Sequence, residues 1–299
     1  MIDLHVHTRM SDGTLSPAEV VSQAARRGIR AIAVTDHDTI SGVMPAQVEG
    51  ERLGVEVIPG VEISAQWPSG ILHILGFFLR LDDGPLSDSL EFLRQMRQER
   101  VPRIVSKLRS LNVLISVAEV ERAALGGVPG RPHIAAIMVE KGHVSRIQDA
   151  FDRYLRKGAP AYVEKVKLSA EVAIRLIREA GGVPVLAHPH SLNENDAGRL
   201  DGIIRTLVDQ GLEGIEAFYP QHTPRQTRMF LDVAARYRLV VTGGTDFHGA
   251  NKPHVRMGVF PGRGSLPYSL VEDLRERKRA MSGPNGNGPK PAERPRTGE

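Results

Sequence analysis

Along most of the 299-residue chain, short apolar runs alternate with stretches of helical periodicity. The runs at 2–6, 31–34, 55–63, 71–77, 183–187, 214–218 and 239–242 have the length and composition of buried strands. Cap signals open the helices between them. Ser16-Pro17-Ala18-Glu19 is a capping box with proline in the first turn, and Gly28 closes that helix. Ser41 is read as the start of the next helix, with Gly54 following its end. Ser116-Val117-Ala118-Glu119 forms a second capping box, and Ser169 and Thr223-Pro224 are further start signals. Strands alternating with helices of this length predict a parallel α/β arrangement.

The alternation breaks between 85 and 162. Leu90, Leu93, Val101, Ile104, Val105 and Leu108 recur at helical spacing, and further helices are expected over 131–141 and 146–155. No strand is expected there. The pattern therefore predicts an α/β unit in two pieces, 1–84 and 163–281, interrupted by an all-helical insertion over 85–162. From 282 to 299 the chain turns to Ser, Gly, Pro, Asn and Lys. Such a composition buries too little apolar surface to order itself, and a disordered tail is expected.

Composition narrows the chemistry. With 41% hydrophobic residues the chain can bury a full core. It has no cysteine, which excludes disulfides, thiolate metal sites and a cysteine nucleophile. A metal site would have to use imidazole and carboxylate. No apolar run approaches the length of a membrane span, and the first residues lack a signal-like pattern, so a cytoplasmic protein without a membrane partner is expected. The net charge of +4 is compatible with an anionic substrate and does not require one.

The polar residues that interrupt the apolar runs form a pattern of their own. His5 and His7 sit at positions i and i+2 of the first strand, so both rings should face the same way. Asp12 follows on the next loop. His37, Glu62, His73 and His188 each lie in, or just past, a different strand run, and Asp246 and His248 both follow the last run. In a βα barrel the active site forms at the C-terminal ends of the strands, so residues distant in sequence would meet in one pocket. A single histidine at a strand end is most often structural. Nine such residues at strand ends point to metal, because buried charges need partners. His143 reads as a helix-end residue, and His254 carries no assignment. Trp67, before Pro68-Ser69-Gly70, reads as loop packing more readily than as a base-stacking group.

Taken in order, His5-Val6-His7, Ser11-Asp12-Gly13, Thr35-Asp36-His37-Asp38, Gly60-Val61-Glu62, His73, Ala187-His188-Pro189 and Asp246-Phe247-His248 resemble the polymerase and histidinol phosphatase (PHP) superfamily. The resemblance runs from Met1 to about 281. The helical insertion, Gly130-Arg131-Pro132-His133 and Tyr219-Pro220-Gln221-His222 resemble its 3′,5′-nucleoside bisphosphate phosphatase branch, whose members also trim RNA from the 5′ end.

The resemblance implies a distorted (β/α)7 barrel with an all-helical insertion, holding three divalent metal ions, most often Mn2+, with Fe2+ or Zn2+ possible. His5, His7, Glu62 and Asp246 would hold the first ion. Glu62, His73 and His188 would hold the second, with Glu62 bridging. Asp12, His37 and His248 would hold the third. The implied activity is metal-dependent hydrolysis of the 3′-phosphate of nucleoside bisphosphates, together with 5′→3′ exoribonuclease activity on short 5′-phosphorylated RNA. Such ions lower the pKa of water and neutralise phosphoryl oxygens. His190 and His222 are the candidates for donating a proton to the leaving sugar oxygen. Arg131 and His133, at a helix N-terminus, with His222, are the candidates for binding the substrate. Two other readings compete. One is histidinol-phosphate phosphatase, against which the long insertion argues. The other is a non-catalytic or proofreading module associated with a DNA polymerase, disfavoured by the intact ligand set. No obligate protein partner is evident.

Overall fold

The computed structural model describes residues 1–68, 70–124, 129–194 and 196–282. The expected tail lies outside them except for Ser282, as do residues 125–128 before Arg131. The strands are β1 (Ile2–Val6), β2 (Ala31–Val34), β3 (Glu56–Gln66), β4 (Leu72–Phe77), β5 (Leu168–Ser169), β6 (Val183–Leu186), β7 (Gly214–Phe218) and β8 (Val240–Gly243). The helices are α1 (Pro17–Arg26), α2 (Val43–Leu53), α3 (Pro85–Ser110), α4 (Val117–Ala123), α5 (Arg131–Glu140), α6 (Ile147–Ala150), α7 (Ala170–Glu179), α8 (Ala197–Asp209), α9 (Pro224–Tyr237) and α10 (Ser269–Ser282). The capping boxes at Ser16 and Ser116 form as the sequence predicts, Ser169 caps α7, and Thr223, expected as a start signal, forms a capping box on α9. Ser41 does not cap α2; Gly42 takes that position without a side-chain bond. The helix expected over 146–155 divides into α6 and a π-helical turn over Phe151–Leu155.

The strands follow the order β1-β2-β3-β4-β6-β7-β8, with β5 pairing beside the end of β3. The ring nearly closes between β1 and the segment after β8. There the His7 N–H donates to the Phe247 carbonyl at 2.9 Å, and the Phe247 N–H donates to the His5 carbonyl at 3.3 Å. The Asp3 carboxylate reinforces this seam by accepting from the backbone N–H of Thr245 (2.9 Å) and of Gly258 (2.8 Å) and from the Thr245 hydroxyl. Gly244 is required here, since a Cβ at that position would lie 2.1 Å from the Cβ of His5.

Two departures from the sequence reading shape the site. The sheet is not wholly parallel: β4 runs antiparallel to both β3 and β6. Only residues 67–71 connect β3 to β4, too few for a parallel crossover. β3 also continues past Glu62 to Gln66, so Glu62 lies within the strand rather than at its end. The second departure is in β1. Its pairing with β2 shifts between Asp3 and Val6, where Asp3 partners Ile32 and Val6 partners Val34. One extra residue on a strand reverses which side chains face inward beyond it. Ile2 and Leu4 pack into the cluster shared by β2, β3, β4, β6, β8 and α10, which fills the ring. Past the shift His5 and His7 face the ring interior, and Val6 packs outward against α1 and α2.

The interior core and α10 occupy one end of the barrel, leaving the polar residues to the other. Along β4, Phe77 and Leu75 belong to that core, and His73, two residues earlier on the same face, reaches the opposite mouth. Outside the ring, α7, α8, α9 and the first half of α3 pack as one cluster. The second half of α3 joins α4, α5 and the π-helical turn around a core of its own, built on Ile104, Leu108, Ile134 and Met138. Among the described residues, no helix is long and apolar enough to cross a membrane.

Candidate metal centre

Glu62 lies at the centre of the mouth. Its Oε2 is 3.1 Å from Nε2 of His5, from Nε2 of His7 and from Nδ1 of His37. Its Oε1 is 2.7 Å from Nδ1 of His73 and 3.0 Å from Nε2 of His188. Asp246 Oδ1 is 3.2 Å from His7 Nε2 and 3.7 Å from His5 Nε2. Asp12 Oδ1 is 3.1 Å from His248 Nε2, and Asp12 Oδ2 is 3.9 Å from His37 Nε2. All nine expected ligands therefore meet. Ligand atoms within 4.8 Å of one another define three overlapping groups: His5, His7, Glu62 and Asp246; His37, Glu62 and His73; and His7, Asp12, His37 and His248. His37 takes part in two of them, and His188 joins through Glu62 and through His73 Nδ1 at 3.4 Å.

The donor set fits divalent cations. Glu62 Oε2 and His37 Nδ1 are buried and make no hydrogen bond, although three imidazole nitrogens lie near that oxygen. Lone pairs converge where hydrogen-bonding protons do not. Burial opposes charge on Glu62, and His37, His73 and His5 hold its carboxyl well below the usual carboxylate range. Burial also opposes charge on the imidazoles. The nearby Asp246 and Glu62 carboxylates nevertheless raise His7 to about 9, whereas burial drives His37 down to about 3. Cations would supply the positive charge that the carboxylates otherwise take from protonated histidine.

A supporting layer, missed by sequence reasoning, orients these ligands. Glu216, buried on β7, accepts from His5 Nδ1 at 3.1 Å and from the His188 backbone N–H at 2.8 Å. Holding the proton on His5 Nδ1 turns the lone pair of Nε2 toward Glu62. Asp36 accepts from the Thr8 N–H (2.8 Å), the Thr8 hydroxyl (2.7 Å) and the Ser11 hydroxyl (2.6 Å), which fixes the loop carrying Asp12. The Tyr219 hydroxyl donates to Asp246 Oδ2 at 2.9 Å, and Lys252 pairs with the same oxygen, leaving Oδ1 toward the histidines. Asp38, His188 and Asp246 all have positive φ (56°, 22° and 55°). Strained non-glycine backbone of this kind persists where surrounding contacts enforce it.

Two clefts open from the ligands. The smaller, about 490 Å3, is bordered by His188, His190, Tyr219, Asp246 and Lys252. The larger, about 1010 Å3, starts at Asp12, His37 and His73 and runs beneath the helical segment. Arg131 and His133, the candidates for binding the substrate, line it, accompanied by Arg97, Arg100, Lys165 and Lys167, which were not foreseen. A signal was present: Arg97 and Arg100 are one helical turn apart on α3, and Lys165 and Lys167 are two residues apart in the segment before β5. Arg131 also donates to the Leu155 carbonyl at 3.0 Å, and His133 Nδ1 accepts from the Gly130 N–H at 3.1 Å. Trp67 and Ile71 also line it.

The two acid candidates differ in position. His190 borders the smaller cleft, with its ring 5.1 Å from that of Tyr219, and burial lowers its pKa. His222 lines neither cleft. It lies behind Tyr219 and His190, packs on Phe230, bonds the Ala217 carbonyl through Nδ1 at 3.0 Å, and burial pushes it down to about 4.

The PHP domain family model matches residues 3–164. The phosphoribosyl 1,2-cyclic phosphate 1,2-diphosphodiesterase of Eggerthella lenta is 37% identical over 265 residues, covering 85% of this chain and 97% of that protein. The 3′,5′-nucleoside bisphosphate phosphatase of Chromobacterium violaceum is 32% identical over 91% of this chain and 92% of its own. The 5′-3′ exoribonuclease Rnm of Escherichia coli is 32% identical over 82% of this chain and 84% of its own. Among solved structures, one described as a metal-dependent phosphoesterase from Bifidobacterium adolescentis superimposes with a TM-score of 0.78 at 30% identity, over 92% of this chain and 96% of that one. The barrel, its polar mouth and these relatives agree: the chain belongs to the PHP domain family and is a metal-dependent phosphoesterase.

Proposed function

We propose that the enzyme removes the 3′-phosphate from nucleoside 3′,5′-bisphosphates and shortens 5′-phosphorylated RNA from its 5′ end. The observation that carries this reading is the large cleft leading from the ligand cluster past Arg100, Arg131 and Lys167. Arg97 and Lys165 on the same wall already pair with Asp38; a substrate with one phosphate would use the cluster and bring no anion to the other three. A second phosphate, or the backbone of a short RNA, would supply one. The names of the Chromobacterium and Escherichia relatives support the same class.

Three divalent ions, most simply Mn2+, are assigned to the cluster. His5, His7, Glu62 and Asp246 would hold the first, Glu62, His73 and His188 the second, and Asp12, His37 and His248 the third. When bound, such ions lower the pKa of water and neutralise phosphoryl charge. The chain's own residues orient and select. Glu216 and Asp36 fix the ligands, Arg131 and His133 bind the remote phosphate, and His190 stands at the cleft edge as a polar contact. His222 supports Tyr219 and His190 from behind.

A second reading is opening of a ribose 1,2-cyclic phosphate, favoured by the 37% identical relative. Its substrate also bears two phosphate groups. Turnover with Mn2+ should be compared for adenosine 3′,5′-bisphosphate, 3′-AMP, a 5′-phosphorylated oligoribonucleotide, phosphoribosyl 1,2-cyclic phosphate and histidinol phosphate. The bisphosphate and the RNA should lead, with 3′-AMP well behind. Faster turnover of the cyclic ester or of histidinol phosphate would replace this reading. Arg131→Ala should raise KM for the bisphosphate about 10-fold or more with a smaller change in kcat, since it would remove binding rather than chemistry. Unchanged KM would take Arg131 out of the substrate site.

A further inference from the structure

Hydrolysis of a sugar phosphate leaves a poor leaving group, an alkoxide, unless a proton reaches the oxygen as the P–O bond breaks. The position of that oxygen follows from the space available. The phosphoryl group belongs with the ligands around Glu62. The sugar and the remainder of a nucleotide need the larger cleft, which opens at Asp12, His37 and His73. The leaving oxygen must then lie where this cleft meets the ligands. Lys165 is at that border. Its Nζ donates to Asp38 Oδ2 at 2.7 Å and to Ser64 Oγ at 2.8 Å. Ser64 is two residues beyond Glu62 on β3 and stands in register opposite His73 on β4.

An ammonium has three N–H donors. Asp38 and Ser64 take two, leaving one for an oxygen in the cleft that Lys165 lines. Asp38 is itself held tightly. Its carboxylate also accepts from the Ser64 N–H at 2.8 Å and from Arg97 Nη2 at 3.0 Å. The ammonium therefore has a fixed address. His222, by contrast, lines neither cleft.

We propose that Lys165 is the proton donor to the leaving sugar oxygen, with Asp38 and Ser64 as its positioning residues. Water forms the new P–O bond and the bond from phosphorus to the sugar oxygen breaks. The electron pair stays on that oxygen, which takes the proton from Nζ. The neutral amine recovers a proton from the one released by the attacking water, so water alone is consumed. The groups facing Lys165 are Asp38 from the loop after β2, Arg97 from α3, His73 from β4 and Lys167 along its own segment. Burial lowers its pKa to about 8 against the pull of Asp38, with Arg97 and Lys167 assisting. A donor with this pKa is charged at neutral pH and releases its proton far more readily than a solvent-exposed lysine. The inference rests on phosphoesterase activity toward a sugar ester, and not on which nucleotide is the substrate.

The test pairs two variants with two esters. Lys165→Arg keeps the positive charge but does not give up its proton; Lys165→Met removes both. The esters are adenosine 3′,5′-bisphosphate and its analogue with sulfur in place of the bridging 3′-oxygen, whose thiolate, with a pKa of about 8.5, departs without a proton. Both variants should lose about 100-fold or more in kcat on the oxygen ester, with KM and metal content little changed, and lose less than about 3-fold on the sulfur ester. Wild-type kcat should fall as pH rises through about 8 on the oxygen ester alone. Near-normal turnover of the oxygen ester by Lys165→Arg would overturn the proposal, as would equal losses on both esters. If wild-type enzyme fails to hydrolyse the bisphosphate, the substrate reading fails instead. The two esters are then rebuilt on the sugar phosphate it does hydrolyse, and the same outcomes decide the role of Lys165.

Discussion

Glu62 has five imidazoles around its two carboxylate oxygens, from His5, His7, His37, His73 and His188, and no exposed surface. Removing its charge while keeping its shape should empty more than one metal position at once. Glu62→Gln is expected to lose at least about 1000-fold in kcat, with bound metal reduced when measured by mass spectrometry, on the scale by which loss of metal assistance raises a barrier. Retention of full metal content and turnover would remove Glu62 from the bridging position. Glu216 acts one step back, through His5 and His188. Glu216→Gln should weaken metal affinity by about 10- to 100-fold in a calorimetric titration while the fold persists. An unchanged titration would reduce Glu216 to a packing role. The nine residues that meet at the mouth were legible because histidine and carboxylate stand out against apolar strand runs. Glu216 stands out in the same way, within Gly-Ile-Glu-Ala-Phe, but nothing in the sequence marks which histidines it would face. Asp38 and Lys165 are 127 residues apart, and only the fold brings them together.

At the scale of elements, caps and periodicity located seven strands and most helices to within a few residues, but not β5, α8 or α10. Pairing direction was less accessible. The five-residue link between β3 and β4 could have announced an antiparallel pair, because a parallel crossover needs more chain. That reversal puts His73, near the start of its strand, at the mouth where the other strands end. The register shift in β1 had no such signal. Regular alternation from Ile2 and Leu4 would have carried Val6 inward and both histidines outward. The seam beside it depends on Asp3. Asp3→Ala would leave the buried N–H groups of Thr245 and Gly258 without their acceptor, at about 1–3 kcal/mol each. Urea unfolding should show a loss of at least about 2 kcal/mol. A smaller change would mean that the backbone bonds to Phe247 close the barrel unaided.

Across the whole molecule, a polar barrel mouth and a cationic helical segment share one cleft, and each has a separate core behind it. The helical character of 85–162 was legible, but its contribution to the cleft was not, because Arg97 and Arg100 look like ordinary surface charge on a long helix. Leu108, fully buried in the core of that segment, gives a way to perturb the cleft wall without touching a ligand. Leu108→Ala should cost about 2–5 kcal/mol there. It should raise KM for the bisphosphate while metal stoichiometry stays normal; loss of metal would mean that the helical core also supports the mouth. The most direct measurement is phosphate release from adenosine 3′,5′-bisphosphate as Mn2+ is titrated into metal-free enzyme. Activity should be absent without metal, rise until about three equivalents are bound, and stay flat throughout in Glu62→Gln. Turnover without metal, or full activity at a single equivalent, would contradict a multinuclear centre built on Glu62.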